Sequence, residues 1–228
     1  MRERTGKSLP RLHLVFWTLI LFITMLGLVD VLRPLLGHFL MGILLALALS
    51  AVLVAAVASV TAGRRTLSVR IIQSLVAAAL LVKLVHFFYP DSFWRLSFSA
   101  LAVFCIAYTI VKMLRFLLRT EEADLETVAG AVSVYLLLAI GWGIVYSIQS
   151  HFDPEGFGGM EDPGEVALSF TGLYYSLVTV TTLGYGDITP VSTVARLTSA
   201  MGALSGQIVL VVLIARIVSL TTSKPNQD

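Results

Sequence analysis

Six stretches of the chain, at residues 12–32, 39–62, 69–89, 96–118, 128–150 and 192–220, are dominated by Leu, Ile, Val, Ala and Phe and hold few charges. A helix that crosses a bilayer needs roughly 20 mostly apolar residues. Inside lipid, a helix also satisfies its own backbone polar groups, which open strands and loops cannot do. Each stretch is therefore expected to form one membrane-spanning helix. Composition agrees: 57% of residues are hydrophobic and 13% charged, with a mean hydropathy of +0.89. A soluble domain carries about twice that charged fraction. The basic start followed by an apolar run has the outline of a secretory signal. The run at 12–32 is long, however, and no small-residue cleavage site follows it, so it is read as the first span.

Basic residues set the orientation. Arg2, Arg4, Lys7, Arg11, Arg64, Arg65, Arg70, Lys112, Arg115, Arg119, Arg216 and Lys224 fall at the termini and in the even-numbered gaps, whereas the odd-numbered gaps hold only Arg33, Arg95 and Arg196. Twelve against three places both termini in the cytoplasm of a multi-pass cell-membrane protein, and it agrees with an even number of spans. The net charge of +2 is spread over segment ends and forms no nucleic-acid patch. The single cysteine, Cys105, excludes an intrachain disulfide. No nucleophile–base pair or metal-ligand cluster is visible, so neither an enzyme nor a bound cofactor is expected.

The charged run from Arg119 to Glu126 divides the chain. Residues 1–120 are expected to form a four-helix bundle, 121–127 a cytoplasmic linker, 128–220 a two-helix unit with a re-entrant loop, and 221–228 a short tail with no room for a ligand-binding domain. A seventh apolar segment, 166–181, is too short to cross a bilayer as a helix. Two starts are open to it: Asp162-Pro163-Gly164-Glu165, which reads as a capping box with proline in the first turn, or Ser169, which gives a shorter helix.

That segment runs into Thr182-Leu183-Gly184-Tyr185-Gly186-Asp187. From Tyr174 to Asp187 the sequence strongly resembles the pore loop of potassium channels, and the likeness extends over roughly residues 128–220. Leu183 stands where that family most often has valine, and Val178 where some relatives have a glutamate. The resemblance implies that Thr182, Leu183, Gly184, Tyr185 and Gly186 form a K+ selectivity filter. Glycine opens backbone conformations closed to other residues, so successive carbonyls of Thr182, Leu183, Gly184 and Tyr185 can face one axis, and the Thr182 hydroxyl completes the innermost site. Tyr185 is expected to pack against Tyr174 and Tyr175, with Tyr175 hydrogen-bonded to Asp187. The C-terminal end of the short helix aims its negative pole at a central cavity.

In the last span, Gly206 lies 24 residues after Thr182 and matches the family's hinge glycine, with close helix packing as the alternative. Gln207 is expected on the cavity wall, since a polar side chain at this depth should meet a partner or water. Asp153, Glu155, Glu161, Asp162 and Glu165 either concentrate cations at the outer mouth or only keep the loop solvated. His151 is expected as a solvated loop residue. Lys83 and His86 are expected to have structural roles, Lys83 by pairing with Asp30 or Asp91 or by snorkelling.

The first four helices resemble a voltage-sensor module of prokaryotic type. The fourth has no basic residue between Arg95 and Lys112, so no working sensor is expected. Together these features predict a potassium channel subunit that conducts K+ passively as a homotetramer among membrane lipids. Such a channel would not be strongly voltage-gated, and a separate regulatory subunit is left open. A non-selective cation channel and a non-conducting regulatory subunit are the alternatives.

Overall fold

A computed structural model describes residues 13–28, 47–52, 54–55, 74, 77–78, 81–82, 85, 92–120, 124–160 and 169–222. The third expected span lies almost wholly outside these residues, as do Lys83, His86, Asp30, Asp91 and the Asp162–Glu165 cap.

The described helices are α1, His13–Leu28; α2, Ser92–Arg119; α3, Leu125–Phe152; α4, Phe170–Val180; and α5, Thr193–Thr222. Among the described residues three helices are long and apolar enough to cross a membrane: Leu96–Arg119, Leu125–Phe152 and Thr193–Thr222. They coincide with the fourth, fifth and sixth expected spans. Two boundaries differ from expectation. Asp124 caps α3, its carboxylate accepting from the Thr127 amide at 2.8 Å, so residues 125–127 are helix and not linker. His151 lies in the last turn of α3 and not in a loop. One feature departs from an all-α chain: Phe157–Gly158 (β1) pairs antiparallel with Thr189–Pro190 (β2).

The larger core draws on every described helix. It gathers Val15, Leu19, Phe22 and Leu26 of α1, which recur at helical spacing, with Ala102, Cys105, Ile106, Met113 and Leu117 of α2. Val134, Leu137, Ile140 and Ile144 of α3 belong to it, as do Leu173 of α4, Leu213 of α5, and Leu49 and Val52. Lipid is as apolar as these side chains, so what selects helix partners in a bilayer is close packing and interhelical hydrogen bonding. The second core shows this. On α5 the buried positions Ala195, Ser199, Gly202 and Gly206 form a small-residue stripe that lets the backbone approach α3 and α4. Hydrogen bonds cross the same interface: Trp142 Nε1 donates to Ser205 Oγ at 2.9 Å, and Thr198 Oγ1 donates to Gln149 Oε1 at 2.6 Å. Each such bond contributes about 0.6 kcal/mol on average, so the set fixes the geometry and no single member does.

Candidate functional site

The site is built outward from α4. Ser169 is extended (φ −87, ψ 154), and its Oγ accepts from the Gly172 amide at 2.9 Å, which settles the start of α4 at the shorter alternative. Three bonds then tie α4 to its neighbours. Ser176 Oγ donates to the Ala139 carbonyl of α3 at 2.6 Å, Tyr175 and Ser199 of α5 share a bond of 2.7 Å, and Tyr135 donates from α3 to the Val180 carbonyl at 2.9 Å. The last carbonyls of a helix lack intrahelical partners, and Tyr135 satisfies one of them.

Beyond α4 the chain folds back on the final turn. The Thr182 amide donates to Thr179 O at 3.0 Å, and the amides of Leu183 and Gly184 both donate to Val178 O, at 2.9 and 3.4 Å. Val178 thus supports the following segment through its backbone, at the position where a carboxylate side chain is absent. Thr182, Gly184 and Gly186 then have positive φ (58, 62 and 82), while Leu183 and Tyr185 between them do not. Positive φ thus falls on every second residue of the segment. Among the described residues no hydrogen bond reaches the carbonyls of Thr182, Leu183, Gly184 or Tyr185, and residues 181–187 are all exposed in the single chain.

Thr182 is the only described non-glycine residue with positive φ. For a β-branched residue that conformation is an outlier and costs on the order of 1–3 kcal/mol, a cost that persists only where the surroundings enforce it. Its amide donates to Thr179 O at 3.0 Å, and Gln207 Nε2 makes a long contact of 3.4 Å with its hydroxyl. Gln207, expected on a cavity wall, thus lies beside Thr182. Gly206, one residue earlier, is buried against the back of α4, where a methyl group would stand 2.3 Å from Val180 O.

Of the two tyrosines expected beside Tyr185, Tyr174 takes that place together with the Asp187 bond expected of Tyr175. Tyr174, not Tyr175, donates to Asp187 Oδ2, at 2.5 Å, and its ring stacks on Tyr185 with centroids 6.5 Å apart. Tyr175 instead faces the spans, in an aromatic cluster with Tyr146 (4.9 Å) and Phe157 (5.3 Å). Adjacent helix residues are turned by roughly 100°, so only one of the pair can face the 182–187 segment. The Tyr174 hydroxyl, chiefly, holds Asp187 below the ordinary carboxylate value; some loss of hydration opposes it, and the amides of Ile188 and Asp187 assist.

Three contributors were not legible beforehand: Tyr135, Ser199 and Phe157. Phe157 did leave a trace, as the one large aromatic among the glycines of a polar loop, Gly156-Phe157-Gly158-Gly159.

Residues 132–223 match the family model described as an ion channel. No curated protein and no solved structure matches the chain. The matched part contains α4, the 182–187 segment, all of α5 and α3 from residue 132 onward. With the three long apolar helices it points to a membrane channel: over residues 132–223, the chain is similar to the ion channel family.

Proposed function

We propose that the chain is one subunit of a homotetrameric, potassium-selective channel of the cell membrane, with six spans, cytoplasmic termini and no strong voltage dependence. The observation that carries this reading is the positive φ at every second residue, 182, 184 and 186, with carbonyls of the segment that no donor among the described residues reaches. A cation stripped of water needs oxygens in its place, and rings of backbone carbonyls from four such loops supply them in potassium-selective filters. One chain contributes part of each ring, and a closed cyclic assembly completes it.

Two further features support assembly. The filter segment is exposed in the single chain, and α5 leaves a continuous apolar stripe exposed through Val194, Leu197, Met201, Leu204, Ile208 and Val211. In this reading K+ is the permeant ion at Thr182, Leu183, Gly184 and Tyr185, and no cofactor takes part. Gln207 lines the cavity beneath Thr182. Gly206 serves first as the contact with α4, and any hinge action works through that contact. A purified sample should have the native mass of four chains in detergent and release potassium from loaded liposomes. A monomeric or dimeric mass, or liposomes that hold their potassium, would refute the proposal.

A further inference from the structure

We infer that residues 153–160, which follow α3, form a clamp that positions the filter from its outer side, with Phe157 as a wedge and Gly159 as the point of contact. This rests on the filter reading proposed above. After α3 ends at Phe152, the loop turns back and meets the chain leaving the filter. Phe157 pairs with Pro190 and Gly158 with Thr189, while the Gly156 carbonyl accepts from the amides of Val191 and Ser192 at 2.8 and 3.3 Å. A two-stranded pair this short has no stability of its own, so something else must hold it. That is Phe157, 3% exposed, whose ring stands edge-on to Tyr146 and Tyr175 at 6.0 and 5.3 Å. Ile188, the residue after Asp187, joins the same cluster.

Gly159 supplies the third contact. Its φ is +79, and a methyl group there would lie 2.1 Å from the Asp187 carbonyl. The loop backbone therefore rests directly on the residue that ends the filter motif. Asp187 is held from the other side by the Tyr174 hydroxyl of α4, so the outer end of the filter is gripped between the short helix and the loop. Carbonyls directed at one axis repel one another, and bound cations relieve that repulsion. When ions are scarce the outer filter depends on its mounts, and Phe157 and Gly159 are positioning residues for that condition.

The test compares potassium currents of the reconstituted full chain at high and at low external potassium. Phe157→Ala should lose about five-fold or more of its current on lowering external potassium, a factor within the range of lost aromatic contacts, and regain it when potassium is restored. Phe157→Leu, which keeps much of the volume but loses the ring contacts, should show the same dependence to a smaller degree. Gly159→Ala should show the same potassium dependence as Phe157→Ala, and it carries the test if Phe157→Ala fails to assemble. A role in folding alone would lower current equally at both concentrations. That result, or variants indistinguishable from wild type, overturns the clamp while leaving the filter reading intact. A wild-type chain without potassium current removes the filter reading, and the clamp with it.

Discussion

Gly206 of α5 lies so close to Val180 of α4 that a methyl group on it would stand 2.3 Å from the Val180 carbonyl oxygen and 2.8 Å from Cγ1. The same carbonyl accepts the Tyr135 hydroxyl at 2.9 Å. Val180 is fully buried and precedes Thr182 by two residues, so it has no room to yield without moving the filter. Gly206→Ala is therefore expected to destabilise the protein by about 1–3 kcal/mol through overpacking and to disturb ion selectivity. Thermal unfolding in detergent and reversal potentials check this. A variant that shifts only open probability would show that Gly206 acts as a hinge and not as a spacer.

Thr182 offers both a carbonyl and a hydroxyl at the inner end of the filter segment, and Gln207 reaches its hydroxyl at 3.4 Å. Barium is close to potassium in size and doubly charged, so it is expected to lodge where oxygens are most numerous. Thr182→Ala should weaken barium block, and Thr182→Ser should restore it. Block that is unchanged in Thr182→Ala would place the inner site elsewhere.

Asp187 has its pKa lowered chiefly by the Tyr174 hydroxyl. The sign follows from that direction. A carboxylate with a depressed pKa contributes its bond fully above the ordinary value of 3.8 and loses it as pH falls through the lower folded-state value. External acid should thus reduce current only below the ordinary carboxylate range. In Tyr174→Phe the acid midpoint should move upward toward 3.8. Current recorded against external pH in the two proteins reads the shift directly, and identical midpoints would contradict the assignment.

Steep voltage gating requires several charges that move within the field, each worth about 2.3 kcal/mol per 100 mV. The face of α2 buried against its neighbours, Phe98, Ser99, Ala102, Cys105, Ile106, Thr109, Met113 and Leu117, has no charge on it. Lys112 sits over the Tyr108 ring, 5.4 Å from its centre, near the end of the helix. Open probability should vary only weakly between about −100 and +100 mV in symmetrical potassium. A steep sigmoidal conductance–voltage curve would contradict this.

What could be read from sequence follows the range of the forces involved. Three spans, the Ser169 cap and the 182–187 motif are set by contiguous residues, and they were legible as such. That Tyr174 and not Tyr175 bonds Asp187 depends on the rotation of α4 about its axis, which is fixed by Ser176 on Ala139 and Tyr135 on Val180. Those pairs are 37 and 45 residues apart, and no local pattern announces them. Gly206 was legible as a special position, but its reason was not: a glycine that permits a bend and one that permits contact look alike until the facing Val180 is known. Phe157 gains its role only when β1 meets β2, 32 residues further along.

The most direct measurement of the central claim is the reversal potential of the purified, reconstituted protein with potassium on one side and sodium on the other. The filter account predicts a potential close to the potassium limit, far from zero, and its displacement in proportion as potassium replaces sodium. A reversal potential near zero, indifferent to the potassium gradient, would contradict it.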